Sequence, residues 1–280
     1  RGFLSLVGAI LTEPCSPEAD YVVFYIDALT YQPMCGAGTL SVAKALVETG
    51  MVKRVEPETK IVLETPTGLV TVYVKWENHM VASINLENVP AFLYRKDLHI
   101  DLAGYDDVSV DIGYGGNFFV LADVHSLGLT ITKDTVNLLR SLSKDILAAA
   151  NKVIKVAHPT NPAINYLDQV LFCQNVPEED GGYLAQCIFG DAQADISPCG
   201  TGTSTRLAQR YFRGLIGLEE TFVQKSVCGG AFHAKGLRET TLGGVPAIVP
   251  YVSCSDVHIT GFNHLIVEEN DKLKNGFVSW

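Results

Sequence analysis

The chain has 280 residues, of which 47% are hydrophobic and 19% charged, and its formal net charge at pH 7 is −10. This composition is typical of a globular protein that is long enough for two cores of about 140 residues each. No stretch reaches the roughly 20 apolar residues of a membrane span, and none resembles a signal peptide. The acidic balance, without a cluster of Lys and Arg, argues against nucleic acid, whose phosphates need a basic face. We therefore expect a cytoplasmic protein that acts on a small molecule and has no membrane partner.

Strand-like and helix-like segments alternate along the chain. The sequence predicts a strand at 21–26, a short apolar helix at 40–47 that ends at Gly50, a hairpin at 60–76 that turns at Pro66-Thr67-Gly68, and strands near 81–86 and 108–112. One long helix follows, which Thr132 or Asp134 would cap and which ends near Val153. The pattern closes with a strand at 184–189 and a short helical segment at 207–212 that ends at Gly214.

This order of elements predicts an α/β (α+β) fold with two halves, each with strands wrapped around a short buried helix. The turn-rich stretch 158–165, with Pro159 and Pro162, is the predicted crossing between the halves. We place the first half at residues 1–115 and the second at residues 116–280.

One short motif occurs twice, as Met34-Cys35-Gly36-Ala37-Gly38-Thr39 and as Pro198-Cys199-Gly200-Thr201-Gly202-Thr203. Each copy follows a strand and opens a helical segment, so each thiol is expected at a helix N-terminus, where free amides and the positive dipole end stabilise anions. The glycines remove the β-carbons that would keep a ligand away from these amides. If the two halves face each other, Cys35 and Cys199 can approach one carbon from opposite sides, which is the geometry of racemisation.

The remaining cysteines give no sign of a metal site or of disulfides. Seven cysteines are an odd number in a chain too large to need staples, so we expect free thiols in a reducing compartment. Five of them show neither a Cys-x-x-Cys spacing nor a paired His and are predicted to be structural: Cys15, Cys173, Cys187, Cys228 and Cys254. None of the seven histidines offers an obvious catalytic partner, and structural or exposed roles are expected for them.

Several motifs occur together in this chain: Met34-Cys35-Gly36, the run Gly115-Gly116-Asn117-Phe118-Phe119, the block 195–203, and Ile259-Thr260-Gly261-Phe262-Asn263. As a set they resemble the proline racemase family, and the resemblance covers essentially the whole chain. The family is similar in fold to diaminopimelate epimerase, which implies two pseudo-symmetric halves with the active site in the cleft between them. The resemblance further implies a first half that is closed by C-terminal strands and is incomplete at its N-terminus, and a homodimer.

The resemblance implies a cofactor-independent reaction on a cyclic imino acid, in which one thiolate removes the α-proton and the opposing thiol protonates the other face. Cys35 and Cys199 match the two catalytic cysteines. A free thiol has a pKa near 8.5, and a helix N-terminus can lower it by a unit or more, so a thiolate and a thiol at neutral pH are expected.

The same resemblance assigns substrate contacts. Backbone amides of Gly36, Gly200 and Thr201 would hold the substrate carboxylate and stabilise its enolate-like form. Asp195 matches the family acid that contacts the ring nitrogen, and Phe189 matches an aromatic side chain that packs on the ring.

The first motif departs from the family at several positions. Ala37 stands where the family carries a polar, substrate-facing His, and Val7 stands where proline racemases carry a second ring-packing aromatic. Tyr31-Gln32-Pro33 replaces the usual approach to the first cysteine, and Arg1-Gly2-Phe3 resembles a family Arg-Gly-His. Because Val7 and Ala37 enlarge the predicted pocket, we expect proline as the substrate and 4-hydroxyproline as the next choice.

Two classes of function follow from these residues. The first is a proline racemase, or a 4-hydroxyproline 2-epimerase, that uses Cys35 and Cys199. The second is a non-catalytic or weakly active family member that binds a small imino acid. Trans-3-hydroxyproline dehydratase, another branch of the family, is disfavoured, because that branch typically lacks one of the two thiols.

Overall fold

The computed structural model describes residues 6–27, 30–263 and 266–274. The Arg1-Gly2-Phe3 motif and His264 lie outside these residues. The described α-helices are Gly36–Glu48 (α1), Val136–Val153 (α2) and Gly200–Phe212 (α3), and a short 3₁₀ helix spans His125–Leu127. The described strands are, in chain order, Gly8–Thr12 (β1), Tyr21–Ile26 (β2), Tyr31–Gln32 (β3), Glu58–Thr65 (β4), Gly68–Glu77 (β5), Met80–Glu87 (β6), Phe92–Ile100 (β7), Val108–Tyr114 (β8), Phe118–Asp123 (β9), Gln169–Cys173 (β10), Tyr183–Phe189 (β11), Gln193–Ala194 (β12), Phe222–Lys225 (β13), Ala231–Leu242 (β14) and Val245–Cys254 (β15).

The strands form a mixed sheet in the order β1-β2-β4-β5-β6-β15-β14-β13-β11-β10-β9-β8-β7, with β3 beside β2 and β12 beside β11. Strands β1 to β6 therefore occupy one side of this path, and β7 to β13 the other. The last hairpin joins the two sides, because β15 pairs with β6 along one edge and with β14 along the other.

Each side of the sheet encloses a helix, α1 on the first side and α3 on the second, where α2 also packs. In α1, the buried residues Leu40, Ala43, Leu46 and Val47 recur at helical spacing and pack against β5 and β6. Helix α3 contacts β7, β8, β14 and β15, and its first nine residues are all buried. This arrangement confirms the predicted α+β class with strands around a central helix on each side. Within the described residues, no helix is long and apolar enough to cross a membrane.

Local predictions agree with the structure, with one correction at a helix start. The hairpin of β4 and β5 turns at residues 66–67, and α2 ends at Val153 as predicted. The N-cap of α2 is Thr135, however, and not Thr132 or Asp134. The Thr135 hydroxyl donates to the carbonyl of Thr130 and accepts from the Thr132 amide at 2.9 Å. The Thr135 side chain therefore holds the loop before the helix.

The strand order shows that the chain passes from one side of the sheet to the other at a different place from the predicted one. The chain crosses between β6 and β7, at residues 88–91, where Ala91 bridges to Ile248 of β15. The stretch 158–165 instead joins α2 to β10 on one side and touches the other through Asn161, whose amide donates to the Pro66 carbonyl at 3.2 Å. Turn composition alone does not reveal which distant strands pair. The predicted boundary at 115/116 lies in the β8–β9 turn and stays a prediction.

Candidate active site

The two cysteines of the repeated motif are the N-caps of α1 and α3, as predicted. The Cys35 sulfur accepts a hydrogen bond from the Gly38 amide at 3.3 Å, and the Cys199 sulfur accepts one from the Gly202 amide at the same distance. Cys199 adopts a φ of 64°, a left-handed value that a side chain rarely takes. Such strain persists only where the surrounding structure enforces it, and this often occurs at functional sites.

The starts of α1 and α3 touch backbone to backbone. A Cβ atom on Gly36 would lie 2.7 Å from the Gly200 Cα, and one on Gly200 would lie 2.7 Å from the Gly36 Cα. Carbon atoms that are not bonded approach only to about 3.5 Å, so both positions require glycine. This contact brings Cys35 and Cys199 to one site, as the repeated motif predicts.

Asn117 ties the two motifs together. Its buried side-chain amide donates to the Met34 carbonyl at 2.8 Å and to the Thr201 hydroxyl at 3.3 Å. The preceding Gly115 lies so close to α3 that a Cβ there would be 2.6 Å from the Thr201 carbonyl oxygen. The sequence singles out this Gly-Gly-Asn run only as a family motif, and its clamping role follows from contacts that no local pattern reveals.

A cavity of about 30 Å³ lies between the two helix starts. All eight residues that the sequence nominates line it, together with four others: Cys35, Gly36, Ala37, Phe189, Asp195, Cys199, Gly200 and Thr201, with Val7, Gln32, Gln169 and Cys187. This volume holds about one or two water molecules, so a ring the size of proline requires the walls to move apart. The structure thus brings the nominated residues together, while their catalytic and binding roles stay predictions.

Ala37 also lines a second space of about 260 Å³ on its other side. This space is bounded largely by apolar side chains, among them Leu40, Ile196 and Phe232. The small side chain at position 37 is therefore the partition between the central cavity and a larger neighbouring one.

Backbone amides and a half-buried acid set the electrostatics of the central cavity. None of the described residues that line it is basic, so an anionic ligand would rely on the N-termini of α1 and α3. The Asp195 carboxylate accepts a hydrogen bond from the Ser197 amide at 2.8 Å, and the Ser197 hydroxyl in turn accepts one from the Cys199 amide at 3.0 Å. Burial raises the pKa of Asp195 above its ordinary value despite these contacts.

The protonation of Cys35 differs from the sequence-based expectation. Burial raises the pKa of the Cys35 thiol to about 12, which outweighs the lowering effect of the Gly38 amide. Nearby Asp195 and Cys199 add to the increase. The expected lowering at a helix N-terminus is therefore wrong for Cys35, because desolvation of the thiolate is the larger effect.

Cys187, which the sequence analysis predicts to be structural, also lines the central cavity. Its sulfur, the Cys199 sulfur and an Asp195 carboxylate oxygen all lie within 4.8 Å of one another. Contact with Cys199 and burial both raise the pKa of Cys187. A signal was present in the sequence: Cys187 lies two residues before Phe189 in β11, so both side chains face the same side of the strand.

The other cysteines lie elsewhere, and all seven are free thiols. Cys15 and Cys228 are exposed, whereas Cys173 and Cys254 are buried. Among the histidines, His158 is buried, and its Nδ1 accepts from the Asn161 amide at 3.0 Å, which agrees with a structural role.

The fold is shared with an epimerase of known structure. A crystal structure of a hydroxyproline epimerase from Agrobacterium vitis, with bound trans-4-OH-L-proline, matches with a TM-score of 0.88 and 29% identity, and covers 97% of this chain and 77% of that chain. The proline racemase family model matches residues 1–278. The chain belongs to the proline racemase family.

Relatives in this family include enzymes with different reactions. The chain is 37% identical over 278 residues to a proline racemase from Clostridioides difficile, with 99% of this chain and 83% of the relative covered. It is also 37% identical over 279 residues to a trans-3-hydroxy-L-proline dehydratase from Burkholderia cenocepacia, with the same coverage. Overall identity therefore places the chain in a family of isomerases and lyases without separating these reactions.

Proposed function

We propose that the chain is a cofactor-independent racemase or epimerase that inverts the α-carbon of proline or hydroxyproline. The observation that carries this proposal is a pair of thiols, each at the start of a helix. The two helix starts contact each other through Gly36 and Gly200. Two such groups can address one carbon from two faces, which a single acid or base cannot do. The names of the relatives supply the substrate class.

In this mechanism the substrate carboxylate binds the backbone amides at the starts of α1 and α3. The helix N-termini favour the negative charge, and this stabilisation grows as the α-carbon loses its proton and the charge spreads onto the carboxylate. Asp195 binds the ring nitrogen, and Phe189 packs on the ring. One sulfur takes the α-proton, and the other sulfur donates a proton to the opposite face.

The buried position of the Cys35 thiol sets the starting state. Because the pKa of Cys35 is raised to about 12, Cys35 keeps its proton at neutral pH and acts first as the acid. In the direction of turnover in which Cys35 is the acid, Cys199 is the base, and the roles reverse in the other direction. A proton shared by the pair is sufficient, so no external cofactor takes part in the proposed reaction.

Two other functions compete with inversion. The dehydratase relative is as similar as the racemase relative, yet retention of both thiols favours proton transfer on two faces over loss of water. A member that binds an imino acid without turning it over is the second competitor, and the small central cavity and the departures at Val7 and Ala37 are what support it.

Proton NMR of substrates in D₂O tests the proposal. We expect the α-proton signal of L-proline or of trans-4-hydroxy-L-proline to disappear with the protein present and no cofactor added. The same experiment on trans-3-hydroxy-L-proline distinguishes exchange at the α-carbon, which leaves the other ring-proton signals in place, from loss of water, which replaces them with the signals of the dehydrated product. If none of the three compounds exchanges or loses water while calorimetry shows that one of them binds, the binding role replaces the enzymatic one.

A further inference from the structure

A set of three ligand-type side chains stands out in the central cavity. The sulfurs of Cys187 and Cys199 and a carboxylate oxygen of Asp195 lie within 4.8 Å of one another. In a tetrahedral zinc site with Zn–S bonds near 2.3 Å, neighbouring ligand atoms are about 3.8 Å apart. A movement of each ligand atom by roughly 1 Å, through side-chain rotation, would therefore let all three atoms coordinate one ion.

The proposed inversion does not use Cys187, which leaves its position beside Cys199 unexplained. Cys187 and Cys199 are both buried, and their sulfurs meet in a cavity of about 30 Å³. That space is too small for a proline ring but accepts a metal ion and one water molecule. The fourth position of a tetrahedral site would thus be taken by water, as in zinc sites with three protein ligands.

Charge balance also fits a divalent cation. Binding of the ion releases the two thiol protons to solvent, and the resulting two thiolates and one carboxylate around a divalent ion leave a complex with one net negative charge. The N-termini of α1 and α3 point at this cavity and stabilise a negative complex. A monovalent or purely oxygen-preferring ion lacks this match, because thiolates select soft or borderline metals.

We propose that Cys187, Asp195 and Cys199 form a binding site for a thiophilic divalent cation such as Zn²⁺. Cys199 and Asp195 coordinate the bound ion, and the ion fills the space between the two helix starts. Occupation by the ion and occupation by an imino acid are therefore mutually exclusive, and zinc acts as a reversible inhibitor. This site is independent of which reaction the protein performs.

Binding is measured by calorimetric titration of the full chain, freed of metal by a chelator, with Zn²⁺. We expect one ion per chain, and Cys187→Val should weaken its binding at least about 100-fold, since even the loss of a supporting contact to a metal ligand costs 10- to 100-fold. Cys173→Val is the matched control, because Cys173 is a buried thiol on the neighbouring strand β10 and is not part of the set. The control should bind zinc as the unaltered protein does.

Substitution with Co²⁺ provides a second readout that is independent of activity. Coordination by two thiolates gives a sulfur-to-cobalt charge-transfer absorption, which should lose about half of its intensity in Cys187→Val and stay unchanged in Cys173→Val. If Cys187→Val does not fold, Asp195→Asn replaces it, and a loss of zinc affinity is again expected.

Two results would overturn the proposal. One is the failure of the unaltered protein to bind Zn²⁺, and the other is equal binding by Cys187→Val, which would place the ion on exposed thiols such as Cys15 or Cys228. If the NMR experiment shows no turnover, calorimetry and cobalt absorption still decide the metal site. If turnover is present, zinc should abolish it and a chelator should restore it.

Discussion

At the level of single residues, the two motif cysteines share a position in their helices but differ in their surroundings. Both sulfurs accept an amide hydrogen bond from the residue three positions later. Cys199 in addition has the Cys187 thiol and the Asp195 carboxylate within 4.8 Å. Asp195 also acts on Cys35, where it adds to the effect of burial in raising the pKa. The two copies of the motif thus share Asp195 as an electrostatic neighbour, and the close set of three polar groups includes only the second cysteine.

Replacement of either cysteine tests the proposed proton relay. We expect Cys35→Ser and Cys199→Ser each to lower the rate of α-proton exchange by about 100- to 10,000-fold, because a hydroxyl is a much weaker acid than a thiol and one face loses its proton-transfer group. The measurement is NMR in D₂O starting from each enantiomer. Cys173→Ser, which makes the same change at a buried thiol outside the cavity, serves as the control and should keep its rate. Undiminished conversion in both directions by either single variant would contradict the relay.

Sequence reasoning reached most of the cavity but not all of it. The repeated motif identified Cys35 and Cys199 because both copies carry the same local signal, and the resemblance added Asp195 and Phe189. Cys187 was missed because a lone cysteine in an apolar strand is normally a small hydrophobic residue. Its role depends on which residues face it across the cavity, and that is a property of the tertiary structure.

At the level of elements, the contact between α1 and α3 makes two glycines mutually dependent. We expect Gly36→Ala to destabilise the protein by about 1–3 kcal/mol, because the new Cβ lies 2.7 Å from backbone and the helix starts must separate. A shift of about 1 Å at the thiols should also reduce turnover about 100-fold. Urea denaturation and the NMR assay measure the two effects.

Gly217→Ala is the control for this change. Only a carboxylate oxygen of Glu220, at 3.7 Å, lies near a Cβ at Gly217, so the substitution should be close to neutral. Alanine is normally the better residue in a helix, so a gain in stability for Gly36→Ala would show that the two helix starts do not meet as described.

A second tie between elements is the ion pair of Asp111 in β8 with Arg213 at the end of α3. Asp111 is only 4% exposed and accepts hydrogen bonds from Arg213 at 2.7 Å and from the Gln209 side chain at 2.7 Å. Burial alone would raise the pKa of Asp111, but the hydrogen bonds from Arg213, Gln209 and the Asp97 amide hold it below its usual value.

Asp111→Asn should therefore cost about 3 kcal/mol at pH 7, since it leaves the arginine without its buried partner. The pKa of Asp111 is lowered by folding, so its stabilising contribution is present above the pKa of the unfolded chain and is lost as pH falls through the folded value. Urea denaturation at pH 7 and near pH 3 should show the difference between Asp111→Asn and the unaltered protein shrinking in acid. Exposed Asp101, changed to Asn, is the control and should show no such trend. A difference that grows in acid would contradict the assignment.

At the level of the whole molecule, the two sides of the sheet are joined by a strand from the far end of the described chain. Hydrophobic periodicity predicted α2, the β4–β5 hairpin and the two short helices, because those signals are local. It did not predict that β15 pairs with β6, which lies more than 150 residues earlier, since pairing partners at that distance leave no local pattern. The crossing was assigned to 158–165 for the same reason.

This joining predicts that both sides unfold together. Trp76 in β5 reports on the first side, and its fluorescence can be isolated by Trp280→Phe, since these are the two tryptophans of the chain. Far-ultraviolet circular dichroism reports on all three α-helices, of which α2 and α3 lie on the other side. We expect coincident urea midpoints from the two probes, because β15 cannot leave one side without disrupting the other. Separate midpoints would show that the two sides unfold independently.

The position of β15 also has a consequence for synthesis on the ribosome. Strand β6 pairs with β5 as soon as both are made, but its other edge stays open until residues 245–254 emerge. An open edge strand is a template for pairing with other chains, and translation at 5–20 residues per second leaves it exposed for roughly 10–30 s. The nascent chain is thus most prone to aggregation in the interval between completing its first six strands and completing its last, and chaperones that bind exposed strand edges would act in that interval.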